Sequence, residues 1–357
     1  MRKLMIVAIV FVCTLLQTFE AFAWTDKRVE KEKKVHNQYT VREGEKLVID
    51  NMYGKVHINT WDKNEITIDI TVTAKAKTED EAQEILDRIS FVASGDEDGG
   101  RQVYCKTVLA PQKHNIQESS MQIDYTINTP KKNAIDITNK YGDVFLADFM
   151  GKMRMNVSYG GLDIRAIHGG DKRIKVAFGS AIVGSVESGT FDISYSNLTI
   201  DDAGDIDVTN KYGNSDITEV QNLKVDQKYG NIEIGSVGSV TGNIDYTNFE
   251  IGDLKKSADL ALKYCGKANI KSVGPGVEQL NIGAHYSSLS CHFAEGASLS
   301  ADVATSYSSI KKAASFGPIE LVDLNSNNAN SQHYKIKIGA GKGSMTIDAH
   351  YSNINFK

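Results

Sequence analysis

The sequence predicts an all-β protein: a parallel β-helix (β-solenoid) of about twelve short coils, with a small helix-containing N-terminal insertion as a cap. Three observations predict it. A short aromatic-centred pattern recurs at nearly constant intervals along most of the chain. Apolar and polar residues alternate on both sides of each aromatic, which is the period of a strand. Gly, Ser and Asn make up most of the turn after each aromatic, and these residues favour turns.

Each copy of the repeat is centred on one aromatic side chain. An isolated early copy is centred on Tyr53, and the later copies on Tyr141, Tyr159, Phe178, Tyr195, Tyr212, Tyr229, Tyr246, Tyr264, Tyr286, Tyr307 and Tyr351. The last gap is twice the usual interval, so we expect another copy near residue 329 that has lost its tyrosine. Such a unit cannot bury its apolar face alone, but stacking units in register does. Twelve coils at about 4.8 Å each would form a rod on the order of 55 Å long.

The parity within each copy predicts which side chains face inward. Leu223, Val225, Gln227 and Tyr229 occupy alternate positions, so all four are expected on one face of a strand. The aromatics are therefore expected to stack in one column at a corner of the rod, as packing rather than as a binding platform. The polar inward positions would form amide stacks in the same column: Asn139, Asn210 and Gln227.

The segment between Tyr53 and Tyr141 breaks the period. Strands are expected at residues 66–72, 103–109 and 121–127, and residues 95–100 form an acidic, glycine-rich turn. Thr78, with Glu81 three residues later, is typical of a capping box that begins a short helix. We expect this insertion to cap the open end of the rod, because exposed strand edges promote aggregation.

The first residues indicate export. Arg2 and Lys3 precede an apolar run at residues 5–16, and Ala21-Phe22-Ala23 is typical of a cleavage site. The run is too short for a membrane span. The predicted organisation is a signal peptide at residues 1–23, an N-terminal arm at 24–45, a first coil with the helical insertion at 46–130, and β-solenoid repeats at 131–357. The mixed-charge run at residues 27–34 is interpreted as part of a solvated arm.

Composition excludes some classes of protein. With 41% hydrophobic and 24% charged residues, the chain has enough apolar material to fold. A formal net charge of -5 argues against a dedicated nucleic-acid binder. Cleavage would leave Cys105, Cys265 and Cys291, and an odd number is a poor disulfide framework. Small buried hydrophobes are the favoured interpretation, with a Cys265–Cys291 bridge left open.

The order of these features is similar to a known family. The first coil contains Asn51-Met52-Tyr53-Gly54, a Thr71-Val72-Thr73-Ala74 segment precedes a helix of the type Glu81-Ala82-Gln83-Glu84-Ile85-Leu86, and many Tyr-Gly-x-apolar coils follow. The chain resembles the adhesin-like β-helix proteins of Bacteroidota, domains of unknown function of the DUF4097 or adhesin-head type. The resemblance covers nearly the whole chain after the signal segment. It implies this fold and the cell envelope, and it supplies no catalytic motif.

Pectin-degrading enzymes also use parallel β-helices, and some of their motifs have counterparts here. The chain contains His168-Gly169, Arg173-Ile174-Lys175 and Asp201-Asp202, which resemble elements of those hydrolases. Their order is wrong, the Asn-Thr-Asp element is missing, and no carboxylate pair is expected to face across a sugar on neighbouring coils. Residues 339–344 resemble a phosphate loop, but the spacing is wrong and a strand follows.

Metal ligands show no pattern either, since the eight histidines are scattered along the sequence. We therefore predict no catalytic, cofactor-binding or metal-binding residue, and no cofactor.

The functional expectation is an exported, non-enzymatic cell-envelope protein, in the periplasm or at the cell surface, with an adhesin-like or scaffolding role. Its partner would be a surface glycan or an envelope protein, with no nucleic acid and no transmembrane segment. Small polar positions expected to face outward favour such a partner: Ser196, Asn197, Asn214 and Asn231. The alternatives are a carbohydrate-active β-helix enzyme, which acidic residues aligned in a groove would favour, and an envelope-stress accessory protein. The ligand and the oligomeric state stay open.

Overall fold

The structure is a computed structural model that describes residues 28–95, 102–112, 118–313, 320–323 and 330–357. The described part of the chain is nearly all β, with 73% of its residues in strands and one small helix, so the predicted all-β class is confirmed. The predicted signal peptide, the residue-329 copy and most of the acidic turn at 95–100 lie outside the described residues.

The described residues form 24 strands and one helix, and the helix lies between the fourth and fifth strands. Their bounds are β1 (Val29–Thr40), β2 (Lys46–Met52), β3 (Val56–Trp61), β4 (Glu65–Ala76), α1 (Glu79–Asp87), β5 (Ile89–Ser94), β6 (Gln102–Leu109), β7 (Ser120–Pro130), β8 (Ala134–Lys140), β9 (Val144–Leu146), β10 (Met153–Ser158), β11 (Gly161–Ile167), β12 (Lys172–Ala177), β13 (Ser180–Ser194), β14 (Asn197–Lys211), β15 (Ser215–Lys263), β16 (Ala268–Val273), β17 (Gln279–His285), β18 (Ser288–Phe293), β19 (Leu299–Ser306), β20 (Ser309–Lys312), β21 (Glu320–Asp323), β22 (Ser331–Ile338), β23 (Gly343–His350) and β24 (Asn353–Phe356). The strands expected at residues 66–72, 103–109 and 121–127 correspond to β4, β6 and β7.

Parallel pairing between successive copies builds the central part of the molecule. β8, β10, β12 and the second half of β13 lie side by side, and so do β9, β11 and the first half of β13. Between β13, β14 and β15 the register offset equals the interval between Tyr195 and Tyr212, as in Leu198 opposite Ser215. Because the offset and the repeat spacing agree, like positions stack on like positions. The finer prediction of a twelve-coil parallel β-helix is not established by this pairing, because the sheet is not closed.

The inward positions of the repeat form the core. In β15, Leu223, Val225, Ile232 and Ile234 are at most 2% exposed. Burying an aliphatic side chain of this kind contributes roughly 1.5–3 kcal/mol relative to leaving it in water. The apolar residues at alternate positions, from which the strands were predicted, are therefore the residues that form the core.

The predicted amide positions are also fully buried, but they do not form one continuous stack. Asn139, Asn210 and Gln227 are each 0% exposed. Asn210 Nδ2 donates to Ser215 Oγ at 2.9 Å, and Ser215 Oγ donates to Gln227 Oε1 at 2.9 Å. A serine hydroxyl thus links the two amides across neighbouring coils.

The aromatic at the centre of each copy points outward, so its predicted inward orientation is wrong. All twelve aromatics have φ between 50° and 64°, and this left-handed backbone turns the side chain out of the alternation. Their exposed fraction is 37–53%, whereas Gln227, two residues before Tyr229, is fully buried. The predicted column is nevertheless present, since neighbouring rings stack with centroids 4.7–5.1 Å apart.

The position after the aromatic lies against the next coil. A Cβ on Gly213 would lie 1.8 Å from the carbonyl oxygen of Ser196, so that site requires glycine. Other copies have serine there, and its hydroxyl joins adjacent coils: Ser287 N donates to Ser352 Oγ at 3.0 Å. Ser196 is one of these serines and is 3% exposed, so the expectation that it faces outward is wrong. Asn197, beside it, is exposed as predicted.

The N-terminal region contains the predicted helix. Thr78 Oγ1 accepts a hydrogen bond from Glu81 N, and Glu81 Oε2 accepts one from Thr78 N, both at 3.2 Å. This is the predicted capping box. The apolar face of α1 is buried through Ala82, Ile85 and Leu86.

The predicted solvated arm is instead a strand. β1 pairs antiparallel with β4 over its whole length, because Val35 and Tyr39 alternate with the charged residues and pack against the core. β4 in turn pairs antiparallel with β7. Lysines and glutamates on β1 leave a charged outer edge, which disfavours pairing with another chain.

A buried polar network joins the N-terminal region to the first repeat. Tyr125 OH and Thr107 Oγ1 are 2.8 Å apart, and Thr107 Oγ1 donates to Asn51 Oδ1 at 2.9 Å. Asn51 Nδ2 donates to Asn139 Oδ1 at 3.1 Å. All four side chains are at most 2% exposed. Because buried polar groups must be paired, this network fixes how the inserted strands β6 and β7 pack on the first coil.

We expect Thr107→Val to destabilise the protein by about 1–3 kcal/mol, because it leaves Tyr125 OH and Asn51 Oδ1 buried without that partner. Urea unfolding followed by circular dichroism measures the change in the free energy of unfolding. Thr218→Val, at an exposed position of β15, is the matched control and should change it little. An equal effect of the two substitutions would contradict the role given to the network.

At the C-terminal end, the order of coils in space differs from their order in sequence. β23 lies between β17 and β19, pairing in parallel with both. Tyr351 accordingly stacks between Tyr286 and Tyr307. β22 pairs antiparallel with the outer edge of β19. The sequential order expected from the repeat is therefore wrong here, because equivalent copies can stack on one another in any order.

This order predicts which engineered cysteines can form a disulfide. His285 and His350 are register partners, and neighbouring strands lie about 4.8 Å apart, within the Cα range of a disulfide. We expect His285→Cys/His350→Cys to cross-link under mild oxidation, as seen by mass spectrometry. His285→Cys/Ser306→Cys should not, because β23 separates those strands. Cross-linking of the second pair and not the first would indicate sequential stacking.

The three cysteines in the described part of the chain do not form disulfides. Cys105, Cys265 and Cys291 are all free and buried, so the favoured prediction of small buried hydrophobes is confirmed and the Cys265–Cys291 bridge is not formed. Burial raises the pKa of the Cys291 thiol to about 12, which keeps it protonated.

Candidate functional site

A polar groove crosses five neighbouring coils, from the start of β12 across β13 and β14 into β15, with a volume of about 570 Å³. We call it the polar groove. One row of its outward residues follows the strand register, with Thr190 opposite Asp207 and Asp207 opposite Lys224. The groove is lined by Asp171, Lys172, Arg173, Gly189, Thr190, Asp205, Ile206, Asp207, Asn222, Leu223, Lys224, Ser239 and Thr241.

The groove exists because the repeat is irregular at this place. Five residues separate Ile167 from Arg173, whereas three separate their register partners Val186 and Thr190. The longer turn includes Asp171, which has a left-handed φ of 59°. The shorter turn of the next coil contains the small residues 188–190, Ser-Gly-Thr. The longer turn therefore projects further from the surface than the shorter one, which we call the low turn.

Lys172 fills the space beneath the low turn. A Cβ on Gly189 would lie 3.3 Å from the Cβ of Lys172, so the two positions share one packing space. Lys172 is 2% exposed, and its Nζ donates to the carbonyl oxygens of Gly170 at 2.8 Å and Gly169 at 3.4 Å. Burial lowers the pKa of the Lys172 amine, while the nearby carboxylates of Asp171 and Glu187 act in the opposite direction.

The polar walls of the groove are held by contacts between coils. Asn222 Nδ2 donates to Asp205 Oδ1 at 2.6 Å. Lys224 Nζ forms an ion pair with Asp207 Oδ2 at 3.3 Å. Each pair joins two neighbouring coils and so restrains both of its side chains. The second oxygen of each carboxylate can still accept a hydrogen bond from a ligand.

A second groove of about 400 Å³ adjoins the first, and Asp205 lines both. Its polar lining also includes His168, Ser185, Glu187, Asp202 and Gln221. Glu187 Oε2 accepts a hydrogen bond from Gly169 N at 2.6 Å, and His168 Nδ1 lies 3.2 Å from Glu187 Oε1. The Gly169 backbone N–H, and then His168, lower the pKa of the Glu187 carboxyl.

The structure brings together most of the residues noted for their resemblance to hydrolase motifs. His168 and Asp202 line the second groove, and Arg173 lines the polar groove. Asp201 is exposed and is not among the residues lining either groove. Glu187 and Asp202 lie on neighbouring coils, since Ser185 is opposite Asp202, and both line one groove. The expectation that no carboxylate pair faces across a sugar on neighbouring coils stays a prediction.

The sequence missed Asp205, Asp207 and Asn222 as candidates. They occupy ordinary outward positions in their coils, and only the irregular turn next to them makes a groove. The signal that could have found them is the interval between Tyr159 and Phe178, which is two residues longer than the interval that follows it.

The combined lining disfavours an anionic ligand and offers many hydrogen-bonding groups. Five carboxylates are present against three cations: Asp171, Glu187, Asp202, Asp205 and Asp207 against Lys172, Arg173 and Lys224. Carboxylate, amide and hydroxyl groups at close spacing can accept and donate hydrogen bonds to a sugar's hydroxyl groups. Neither described lining includes a Phe, Tyr or Trp ring, so stacking of such a ring on a sugar face is not available there.

The other candidates do not form sites among the described residues. No group of three or more His, Cys, Asp or Glu side chains there is arranged to hold a metal ion. The segment at residues 339–344 is a turn followed by β23, as predicted. No helix in the described part of the chain is long and apolar enough to cross a membrane.

Comparisons with known proteins give distant structural likenesses only. No family model matches the chain, and no curated protein matches it. Among solved structures, a "putative cell adhesion protein" from Clostridium sporogenes is 8% identical, covering 92% of this chain and 99% of its own, with a TM-score of 0.21. A "putative adhesin" from Bacteroides fragilis is 12% identical (91% and 97% covered, TM-score 0.27). A "putative lipid binding protein" from Parabacteroides distasonis is 11% identical (91% and 96%, TM-score 0.30).

At such identities and TM-scores the likeness carries no argument about function. Membership of the DUF4097-type family therefore stays a prediction.

The lowered pKa of Glu187 predicts a pH-dependent contribution to stability. The carboxylate form is stabilised only in the folded chain, so its contribution is present above the unfolded pKa of about 4.3. It is lost as pH falls through the lower folded pKa. We expect Glu187→Gln to reduce the Tm at pH 7 and to reduce it progressively less as the pH falls from 7 to 3. Glu43→Gln, at an exposed turn, is the control; a Tm loss for Glu187→Gln that is constant with pH would contradict the assignment.

Proposed function

We propose that this chain is an exported, non-enzymatic cell-envelope protein with an adhesin-like role, and that it binds an uncharged surface glycan in the polar groove. Its architecture would be a parallel β-helix of about twelve coils capped by the helix-containing N-terminal segment. Twelve stacked aromatics at one strand spacing support that architecture, as do the parallel register offsets that match the repeat spacing.

The observation that carries the binding proposal is the groove itself. Residues 188–190 are small and lie between polar walls, and the wall side chains Asp205 and Asp207 are already held by Asn222 and Lys224. Side chains fixed before binding lose less conformational entropy when the ligand arrives. A sugar chain lying across the coils would meet carboxylate, amide and hydroxyl groups in turn.

The enzyme alternative has one observation in its favour, the acidic residues Glu187 and Asp202 in one groove. Glycoside hydrolysis requires a carboxylic acid that is protonated near neutral pH, and hence one with a raised pKa. Glu187 has the opposite shift, because Gly169 and His168 stabilise its ionised form. It is therefore unsuited to act as the general acid, and binding is the better supported function.

Export and partners are part of the same proposal. The basic start, apolar run and Ala21-Phe22-Ala23 support secretion into the periplasm or to the cell surface. An envelope protein is the second class of partner, favoured if no glycan binds. The excess of acidic residues supports a role without nucleic acid.

The test is a glycan-array screen of purified residues 24–357, with release of reducing sugar ends monitored in the same samples. For the glycan that binds, we expect Asp207→Asn to weaken affinity at least tenfold, as one hydrogen-bonded charged contact of this kind contributes roughly 1.5–3 kcal/mol. Isothermal titration measures the change.

Asp259→Asn is the matched control, because Asp259 occupies the same column of the repeat, five residues before its tyrosine, three coils away and outside the groove. It should leave affinity unchanged. Equal effects of the two substitutions would place binding elsewhere. Release of sugar ends would overturn the non-enzymatic proposal, and absence of any glycan binding would shift the proposal to an envelope protein partner.

A further inference from the structure

The exposed aromatic column is a second surface that the polar groove does not explain. We call its rings the aromatic ladder: in spatial order Tyr53, Tyr141, Tyr159, Phe178, Tyr195, Tyr212, Tyr229, Tyr246, Tyr264, Tyr286, Tyr351 and Tyr307. Eleven intervals at one strand spacing make a strip on the order of 50 Å long. Neighbouring ring planes differ by between 1° and 15°, so the strip is straight and regular.

Stability alone is a weak reason for tyrosine at these positions. A left-handed φ on a residue other than glycine costs of order 1–3 kcal/mol, and asparagine or glycine tolerates it better. Ring stacking returns about 0.5–1.5 kcal/mol per pair. Stacking therefore offsets at most part of this cost, so an aromatic at all twelve corners points to a use for the exposed rings.

The geometry of the ladder limits what it can bind. Each interior ring has a neighbour on both faces, with centroids 4.8–5.1 Å apart in the central part, so sugars, which stack on ring faces, find no free face there. What the interior rings expose is their edges, about half of each side chain. The edge of an aromatic ring is positive and prefers the negative face of another π system. A long, flat π face laid along the strip would therefore meet several edges at once.

Charged side chains beside the ladder determine which ligand charge is favoured. The residue before each central ring is Lys211, Lys228, Asp245 or Lys263. Lys228 is paired with Asp245 at 3.1 Å, while Lys211 and Lys263 are exposed. On the other side of the rings, asparagines form a neutral row: Asn197, Asn214, Asn231 and Asn248, with Asn248 Nδ2 donating to Asn231 Oδ1 at 3.0 Å. The residues immediately before these rings thus carry net positive charge.

We propose that the central aromatic ladder, from Tyr195 to Tyr264, is a binding site for elongated, planar, conjugated anions that lie along the rod with their π face on the ring edges. The exposed lysines Lys211 and Lys263 bind the anionic groups. Such a ligand covers about five rings, and the site is separate from the polar groove.

The test uses two rod-shaped conjugated dyes of opposite charge on the full chain after residue 23, isolated as a single species by gel filtration. Congo red, a dianion, should bind saturably with a red shift in its absorption. Thioflavin T, a cation of similar shape, should bind at least tenfold more weakly. Equal binding of both dyes would overturn the role of the lysines, and no saturable binding of Congo red would overturn the site.

Ring variants test the ladder directly. Tyr212→Asn/Tyr229→Asn/Tyr246→Asn removes three central rings with a residue that tolerates the left-handed backbone, and should weaken Congo red binding more than tenfold. The matched control, Tyr53→Asn/Tyr141→Asn, removes rings at the far end of the ladder and should leave binding unchanged. If the triple asparagine variant fails to fold, the corresponding triple phenylalanine variant is used instead. It keeps the rings and should retain binding, because the ring edges and not the hydroxyl groups are required. Loss of Congo red binding by the phenylalanine variant would overturn the proposal.

Lysine variants test the charge without disturbing the stack. Lys211→Gln/Lys263→Gln should weaken Congo red binding at least threefold at low salt, an effect that diminishes as salt screens the charges. Lys256→Gln, at an exposed position away from the ladder column, should have no effect. Asp207→Asn, which tests the polar groove, should also leave dye binding unchanged, so failure of one proposal does not decide the other.

Discussion

In-register parallel pairing between successive coils is the constraint on which the rest of this structure depends. When one coil is offset from the next by the length of the repeat, each residue lies one strand spacing from its equivalent. Equivalent side chains therefore form columns across the coils, and a residue of a different kind interrupts its column. The ring separations of 4.7–5.1 Å follow directly from that spacing. So does the requirement for glycine at Gly213, where the neighbouring backbone leaves no room for a Cβ.

Pairing of this kind must be ended at both ends of the molecule. At the N-terminal end, β1, β4 and β7 change the pairing to antiparallel and present a charged edge, while the buried network through Thr107 and Tyr125 attaches these strands to the first coil. At the C-terminal end, β22 runs antiparallel along β19. β23 lies between β17 and β19. The similarity of the repeats therefore determines the register in which two coils pair, but not the order in which the coils stack.

On our proposals, two contrasting features of the molecule bind ligands. The polar groove is a local irregularity: two extra residues before Arg173 and three small residues in the next coil, supported from below by the buried Lys172. The aromatic ladder is the opposite, a regularly repeated element whose rings occlude one another's faces. The first can present a specific set of hydrogen-bonding groups, whereas the second can present only a long strip of edges and flanking charge.

The amino-acid sequence was sufficient for the all-β class, the capping box of α1, the burial of Asn139 and Gln227 and the stacked column of aromatics, because these depend on periodicity and on short-range residue types. It misplaced the tyrosine side chains, since one left-handed residue at a corner reverses the parity of a strand. It also missed the pairing of β1 with β4, the position of β23, and the placement of Asp205 beside Asp207 in one groove and beside Glu187 in the adjoining one. These features depend on which strands pair although they are distant in the sequence. The free energy of such pairing comes from contacts between residues tens of positions apart, so a local sequence pattern does not predict it.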